Sequence, residues 1–222
     1  MQLRRPTVSR KSSPAFRYFF ALALVLVLFK LLSLRKKIMG SVAQTSMDTL
    51  QGRCSAAVSR LADMNINFMA LDFDLTIIDE HTGGRWKGTS KELTEHVRPL
   101  FKTLIETAMS HSIHVAVVTF SGQTRIISEV LKTTFPNASV DIPVRGGYDD
   151  VNGKQNHLAL ATEDIKKLTA KSTGTPAAIS GATTVLIDDD GRNIRIAQKN
   201  GFHAVHFNPD EPLDLLQMIV DL

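Results

Sequence analysis

The sequence predicts an α/β fold in which a doubly wound parallel sheet carries helices on both faces. Three observations predict it. Short apolar runs at 67–73, 113–119, 184–188 and 203–207 have the length and residue types of buried strands. Stretches with helical spacing of apolar residues separate them, as the crossovers of a parallel sheet require. Acidic and hydroxyl residues collect where the runs end, which in an open, Rossmann-like sheet is where sites form.

The first run closes as Phe68-Met69-Ala70-Leu71-Asp72-Phe73-Asp74-Leu75-Thr76. If strand periodicity persists to its end, Asp72 and Asp74 fall on one side, and like charges that close need a cation. Such a string taken alone is also what a turn collects. Next, Leu93, Val97, Leu100, Phe101, Leu104 and Ile105 form a helical stripe, with Thr89 and Glu92 spaced as a capping box. Pro99 lies inside the stripe, so that helix kinks or restarts there. The second run, Ile113 to Val118, closes on Thr119 and Ser121. Ile126, Ile127, Val130 and Leu131 give 122–134 a helical period, and Val140 to Val144 alternates like a short strand before Gly146-Gly147. Gly153-Lys154 puts a cation at a helix start, and the run from Thr184 to Ile187 closes on Asp188, Asp189 and Asp190. The last helix is expected over 212–220, and no internal repeat is visible.

Carboxylates, hydroxyls and a lysine at strand ends are what phosphoryl transfer needs, since that chemistry is mostly positioning and charge neutralisation. Asp72 is the candidate nucleophile toward phosphorus, giving an aspartyl-phosphate that water then hydrolyses. Asp74 is the candidate general acid toward the leaving oxygen and the base toward that water. A hard cation, Mg2+, is expected on oxygens from Asp72, from the Asp74 carbonyl and from one of the later aspartates. Thr119, Ser121 and Lys154 are the candidate phosphate-binding residues, with Lys154 offsetting charge.

These segments resemble the motifs of the haloacid dehalogenase superfamily over about residues 67–209. Asp72-Phe73-Asp74-Leu75-Thr76 is similar to the first motif, Val118-Thr119 to the second, Lys154 to the third, and Asp188-Asp189 with Asn193 to the fourth. An acidic residue two places after the nucleophile is typical of that superfamily's phosphatases, so the resemblance implies phosphate esters as substrates. Lys154-Gln155-Asn156-His157-Leu158 and Asp188 through Ile194 resemble its capless magnesium-dependent phosphatases, also called acid phosphatases. By that resemblance Asp189 reaches the metal and Asp188 supports it, in a run of aspartates where the register can slip by one. The 44 residues between Asp74 and Thr119, and the 34 between Thr119 and Lys154, leave no room for a folded cap. By the same resemblance, an open mouth suits large or protruding substrates, protein or small molecule. The loop Asp79 to Gly88 is either a small flap over the phosphate or a surface loop with Trp86 folded onto the body.

The first 47 residues carry nine Lys or Arg and no acid, leaving 17 basic against 22 acidic in the other 175. The pI of about 9.3 therefore belongs to the leader, and the mildly acidic body gives no reason to expect nucleic-acid binding. From Tyr18 to Leu34 the chain is nearly all apolar and is flanked by basic residues on both sides. Seventeen helical residues span about 25 Å against a hydrocarbon core of about 30 Å, so a single membrane anchor is feasible, with Lys30 snorkelling. A signal anchor, a mitochondrial transit segment and a peripheral tail are the competing readings, and the compact apolar core favours the anchor in an endomembrane. The expected organisation is a leader over 1–40 with its membrane segment at about 18–34, an amphipathic linker helix over 41–64 and a phosphatase domain over 65–222.

Ala43, Met47, Leu50, Cys54, Val58 and Leu61 carry the linker's helical period, with Gly52 against it. Cys54 is the one cysteine, so no intrachain disulfide forms. Asn137-Ala138-Ser139 is a glycosylation acceptor should the body be lumenal. His111, His114, His203 and His206 lack the spacing of a zinc site, and His157, one turn beyond Lys154, is placed to orient it. Asp149 and Asp150 read as turn residues, and Lys166 and Lys167 as a solvated helix face. The whole reads as a membrane-tethered phosphatase, the alternatives being a phosphotransferase using the same intermediate or a catalytically silent membrane-bound adaptor.

Overall fold

A computed structural model of the chain describes Lys30 and residues 49–138, 141–148 and 152–222. Five parallel strands form one sheet in the order β3-β2-β1-β4-β5, comprising β1 (Phe68–Leu71), β2 (His114–Thr119), β3 (Val144–Gly146), β4 (Thr184–Asp188) and β5 (His203–His206). The helices are α1 (Leu50–Asp63), α2 (Ser90–Thr94), α3 (Pro99–Ser110), α4 (Thr124–Thr134), α5 (Gln155–Thr173), α6 (Gly191–Lys199) and α7 (Asp214–Val220). Phe68 pairs with His114 on one side and Thr184 on the other, which places β1 at the centre.

Strand periodicity divides the core into two layers. Met69, Leu71, Val115, Val117, Val185 and Ile187 join the apolar faces of α1, α3, α4 and α7 in one cluster. Phe68, Ala70, Ala116, Val118 and Leu186 join Leu158, Ala161 and Ile165 of α5 and Ile194 and Ala197 of α6 in the other. Burial on both faces is why these strands read as continuous apolar runs.

The stripe from Leu93 to Ile105 is two helices. Thr89 and Glu92 form the capping box of α2, and the chain restarts at Pro99, which takes the first position of α3, where its missing N–H costs nothing. The third strand is displaced from its expected 140–144 to Val144–Gly146. Pro143 lacks an N–H, and its carbonyl accepts from Val117 at 2.8 Å, so paired strand begins one residue later.

The part of the linker helix seen here is α1, capped by Thr49, whose hydroxyl accepts from the Gly52 N–H at 3.0 Å. Cys54, Ala57, Val58 and Leu61 are buried at one-face spacing, and Arg53 reaches the Leu213 carbonyl before α7 at 2.8 Å. The helix thus belongs to the body, and packing overrides the cost of Gly52. Burial pushes the Cys54 thiol up to about 11, which leaves little thiolate for any intermolecular bond.

Apart from Lys30, the leader lies outside the described residues, as do Ala43, Met47, Ser139, Asp149 and Asp150. Among the described residues no helix is long and apolar enough to cross a membrane.

Candidate active site

The carboxyl ends of β1, β2 and β4 and the start of α5 meet at one rim. A cavity of about 470 Å³ opens there, and Asp72, Asp74, Thr119, Ser121, Lys154, Asp188 and Asp189 all line it.

Asp72 follows β1 directly and is fixed by its N–H to the Ile187 carbonyl at 2.9 Å. Strand geometry ends there. Residues Phe73–Ile77 form a π-type turn in which Asp74 is extended and Leu75 takes φ 58°, a left-handed conformation that costs a branched residue energy. The expectation that strand alternation aligns Asp72 and Asp74 is therefore corrected: a turn, not a pleat, delivers Asp74 to the cavity. Its carboxylate faces the loop that follows, accepting from Thr82 Oγ1 at 2.9 and 2.8 Å, with His81 Nδ1 at 3.6 Å.

Lys154 caps α5 from a buried position, 1 % exposed, behind Gly153 at φ 55°. Gly153 packs so closely that an added Cβ would lie 3.2 Å from Asn193 Oδ1. The Lys154 ammonium donates to Asp72 Oδ1, to the Val118 carbonyl at 2.9 Å and to Asp188 Oδ2 at 3.0 Å, beneath the ring of Phe120. Its direct partner is thus the Asp72 carboxylate. His157 bonds the Gly147 carbonyl, just past the end of β3, at 2.7 Å, so its polar partner is that carbonyl rather than Lys154.

Asp188 is wholly buried and held on every side. Asn193 Nδ2 donates to its oxygens at 3.2 and 3.1 Å, and the Asp190 N–H donates at 2.9 Å. Asp189 is half-buried, receives Thr76 Oγ1 at 3.3 Å, and has its main-chain carbonyl bonded by His206 at 2.7 Å. Asp190 turns its side chain to the Arg192 N–H and caps α6. Thr119 Oγ1 accepts from the Ser121 N–H at 3.1 Å and Ser121 Oγ from the Gln123 N–H at 3.2 Å, which leaves each hydroxyl proton available to donate.

The electrostatics follow from burial. Burial pushes the Asp72 carboxyl up to about 7, Lys154 opposing the rise and Asp188 adding to it. Burial disfavours the Lys154 charge, but Asp72 and Asp188 outweigh it and hold the ammonium above its ordinary value. Asp189 is raised by burial and by Asp188.

Asp72, Asp188 and Asp189 bring carboxylate oxygens within 4.8 Å of one another, and the one ammonium among them leaves negative charge in excess. Oxygen-only donors at that spacing fit a hard divalent cation. Among the described residues this is the one such cluster, and the four strand-flanking histidines take no part in it. The side chain of Asp74 lies outside it; the oxygen expected from that residue is its main-chain carbonyl.

Sequence reasoning missed His81, Thr82, Phe120, Gln123 and Tyr148. His81, Phe120 and Tyr148 line the cavity; Thr82 holds Asp74, and Gln123 pairs with Trp86. Gly83-Gly84 was the available signal for the loop, and nothing in the spacing tied its neighbours to Asp74.

An α/β sheet with a carboxylate and lysine site at its carboxyl rim is the class these features define. No protein-family model matches the sequence, and no curated protein matches it. Among solved structures, the chain is similar to the N-terminal part of the protein BF1531 from Bacteroides fragilis, containing a phosphatase domain complexed with Mg, at 16 % identity and a TM-score of 0.45, over 69 % of this chain and 40 % of that one. It is also similar to an uncharacterised protein from Corynebacterium glutamicum ATCC 13032 Kitasato, at 17 % identity and a TM-score of 0.37, over 71 % of this chain and 96 % of that one. The chain thus spans 40 % of the length of that N-terminal part. Likeness at this level carries no functional argument, which rests on the site itself.

Proposed function

We propose that the chain is a magnesium-dependent phosphatase of the haloacid dehalogenase type, acting on phosphoric monoesters. The observation that carries this reading is the buried Lys154 ammonium bridging Asp72 and Asp188 beside Asp189, with the hydroxyls of Thr119 and Ser121 at the same rim. Two buried acids and a half-buried third around one base have no advantage for packing, since such clusters are costly to desolvate. They suit a site that alternately receives a cation and a phosphate.

In this reading a carboxylate oxygen of Asp72 forms a bond to phosphorus as the ester P–O bond breaks. Asp74 gives its proton to the departing oxygen, then takes a proton from the water that attacks phosphorus, and the Asp72–phosphorus bond breaks to release phosphate. Thr119 and Ser121 donate to phosphate oxygens, and Lys154 offsets the charge of Asp72 and of the group it carries. Asp72, Asp189 and the Asp74 carbonyl are the groups to hold Mg2+, with Asp188 behind them. When bound, the cation supplies charge neutralisation at the phosphate oxygens.

Hydrolysis of 4-nitrophenyl phosphate by the full chain, with Mg2+ and with chelator, tests this. Metal-dependent turnover that Asp72→Asn abolishes in a folded protein supports it; no turnover in a folded, Mg2+-supplied sample overturns it. Transfer of phosphate to an added alcohol in preference to water would move the reading to a phosphotransferase, and a folded but inert chain would leave the adaptor. Tethering through residues 18–34 to an endomembrane is the localisation that goes with this reading, because of the apolar run and its basic flanks. Carbonate extraction of membranes tests it, release of the intact chain being the contrary result.

A further inference from the structure

The loop after the first motif is tied to the site at both ends. Its neck is closed where the Arg98 N–H bonds the Ile77 carbonyl at 2.9 Å and Ile78 bridges Val97. On the near side Thr82 Oγ1 lies within hydrogen-bond distance of both Asp74 oxygens, at 2.9 and 2.8 Å. The Gly84 N–H donates to that same Oγ1 at 3.2 Å, which fills an acceptor site and leaves the hydroxyl proton for Asp74. Gly83 and Gly84, at φ 56° and 67°, turn the chain back over Ser121, where a Cβ on Gly84 would make ordinary van der Waals contact with Ser121 Oγ at 3.8 Å.

On the far side the Trp86 N–H donates to Gln123 Oε1 at 2.6 Å, and Gln123 Nε2 donates to the Trp86 carbonyl at 3.0 Å. A side-chain amide thereby pairs with backbone as a neighbouring strand would. The Gln123 N–H in turn holds Ser121 Oγ at 3.2 Å, so one residue joins the loop to the hydroxyl side of the cavity. The half-buried Trp86 ring packs on the core and donates from Nε1 to the Thr89 carbonyl at 3.1 Å, giving this lip a rigid foot.

Asp74 needs such support. Its own turn is extended at Asp74 and left-handed at Leu75, and its other neighbour, His81, stands off at 3.6 Å on an exposed side chain. We propose that Gln123 and Thr82 are positioning residues acting in series: Gln123 latches residues 82–86 over the phosphate side of the cavity, and the latched lip, through the Thr82 hydroxyl, aims Asp74 at the leaving oxygen. The inference rests on the reading of Asp74 as the general acid and base.

A general acid matters in proportion to the basicity of the group that leaves. First-turnover release from a series of aryl phosphates, running from 4-nitrophenyl to unsubstituted phenyl, therefore separates aiming of Asp74 from general damage. Thr82→Val and Gln123→Ala should each steepen the dependence on leaving-group basicity, with the loss about tenfold larger for phenyl than for 4-nitrophenyl phosphate. Thr82→Ser, which keeps the hydroxyl, should restore the wild-type slope. The double variant should be no worse than the worse single one, because the two act on one chain of contacts. Equal losses for all esters, or losses that multiply in the double variant, overturn the inference while leaving the phosphatase reading intact. Absence of Mg2+-dependent release by the wild-type chain removes both. Should Gln123→Ala fail to fold, Gln123→Glu retains the acceptor for the Trp86 N–H and loses the donor, and carries the same test with a smaller steepening.

Discussion

Lys154 Nζ lies 3.0 Å from Asp188 Oδ2 while the same ammonium donates to Asp72, so one cation from the start of α5 joins the ends of two neighbouring strands. The three side chains are all buried. Removing the ammonium leaves two buried carboxylates without their shared counter-charge.

Lys154→Met keeps the stem and deletes the charge. Breaking a buried ion pair from one side costs about 3–5 kcal/mol, so urea unfolding without metal should show a loss of that order. Added Mg2+ should recover part of it, because the cation neutralises the same carboxylates. A loss of under about 1 kcal/mol would mean that the ammonium is not what offsets the two carboxylates in the resting site.

The second expectation concerns pH. Burial raises Asp72 to about 7 and raises Asp189, so the folded chain without metal binds more protons than the unfolded chain between the ordinary carboxylate range and neutrality. Stability then falls as pH rises through that window. His114, lowered by burial, contributes the opposite slope near its ordinary value, and Lys154, raised, loses its contribution only in strong alkali. Mg2+ binds the ionised carboxylates and displaces their protons. Thermal unfolding with and without Mg2+ should therefore show a larger upward shift at about pH 7.5 than at about pH 5. Equal shifts at both would show that no carboxylate of the cluster changes protonation on metal binding.

How much of this could be read from the chain follows from what each feature depends on. The strands that lead to Asp72, Thr119 and Asp188 were legible because a doubly buried strand must be apolar throughout, and its end is marked by the first residue that is not. The third strand was mislaid by a few residues because alternation over 140–144 outweighed the missing N–H of Pro143. The roles of Asp188, Asp189 and Asp190 are open by one residue in the sequence, and the structure gives each different surroundings: Asp188 is enclosed, Asp189 half-buried, and Asp190 occupied with capping α6. Thr82 and Gln123 were illegible for another reason. Their partners depend on left-handed turns at Leu75, Gly83 and Gly84, and no periodicity encodes where such a loop comes to rest.

The third expectation separates neighbouring acids by what each does when neutralised. Asp188 has its oxygens committed to Asn193, Lys154 and the Asp190 N–H, whereas the half-buried Asp189 accepts from Thr76 at a long 3.3 Å and from its own backbone N–H. Asp189→Asn removes a like charge that burdens Asp72, so the metal-free protein should be as stable as wild type or slightly more so. The same change should raise the Mg2+ concentration for half-maximal turnover by about tenfold or more, since a carboxylate ligand is lost. Asp188→Asn leaves Lys154 with Asp72 as its one carboxylate partner and disturbs the amide contact from Asn193, so it should lower the urea midpoint. Measuring both quantities on both variants decides the assignment: a Mg2+ requirement unchanged in Asp189→Asn and raised in Asp188→Asn would make Asp188 the direct ligand, and would place the cation deeper beneath the rim than the present arrangement implies.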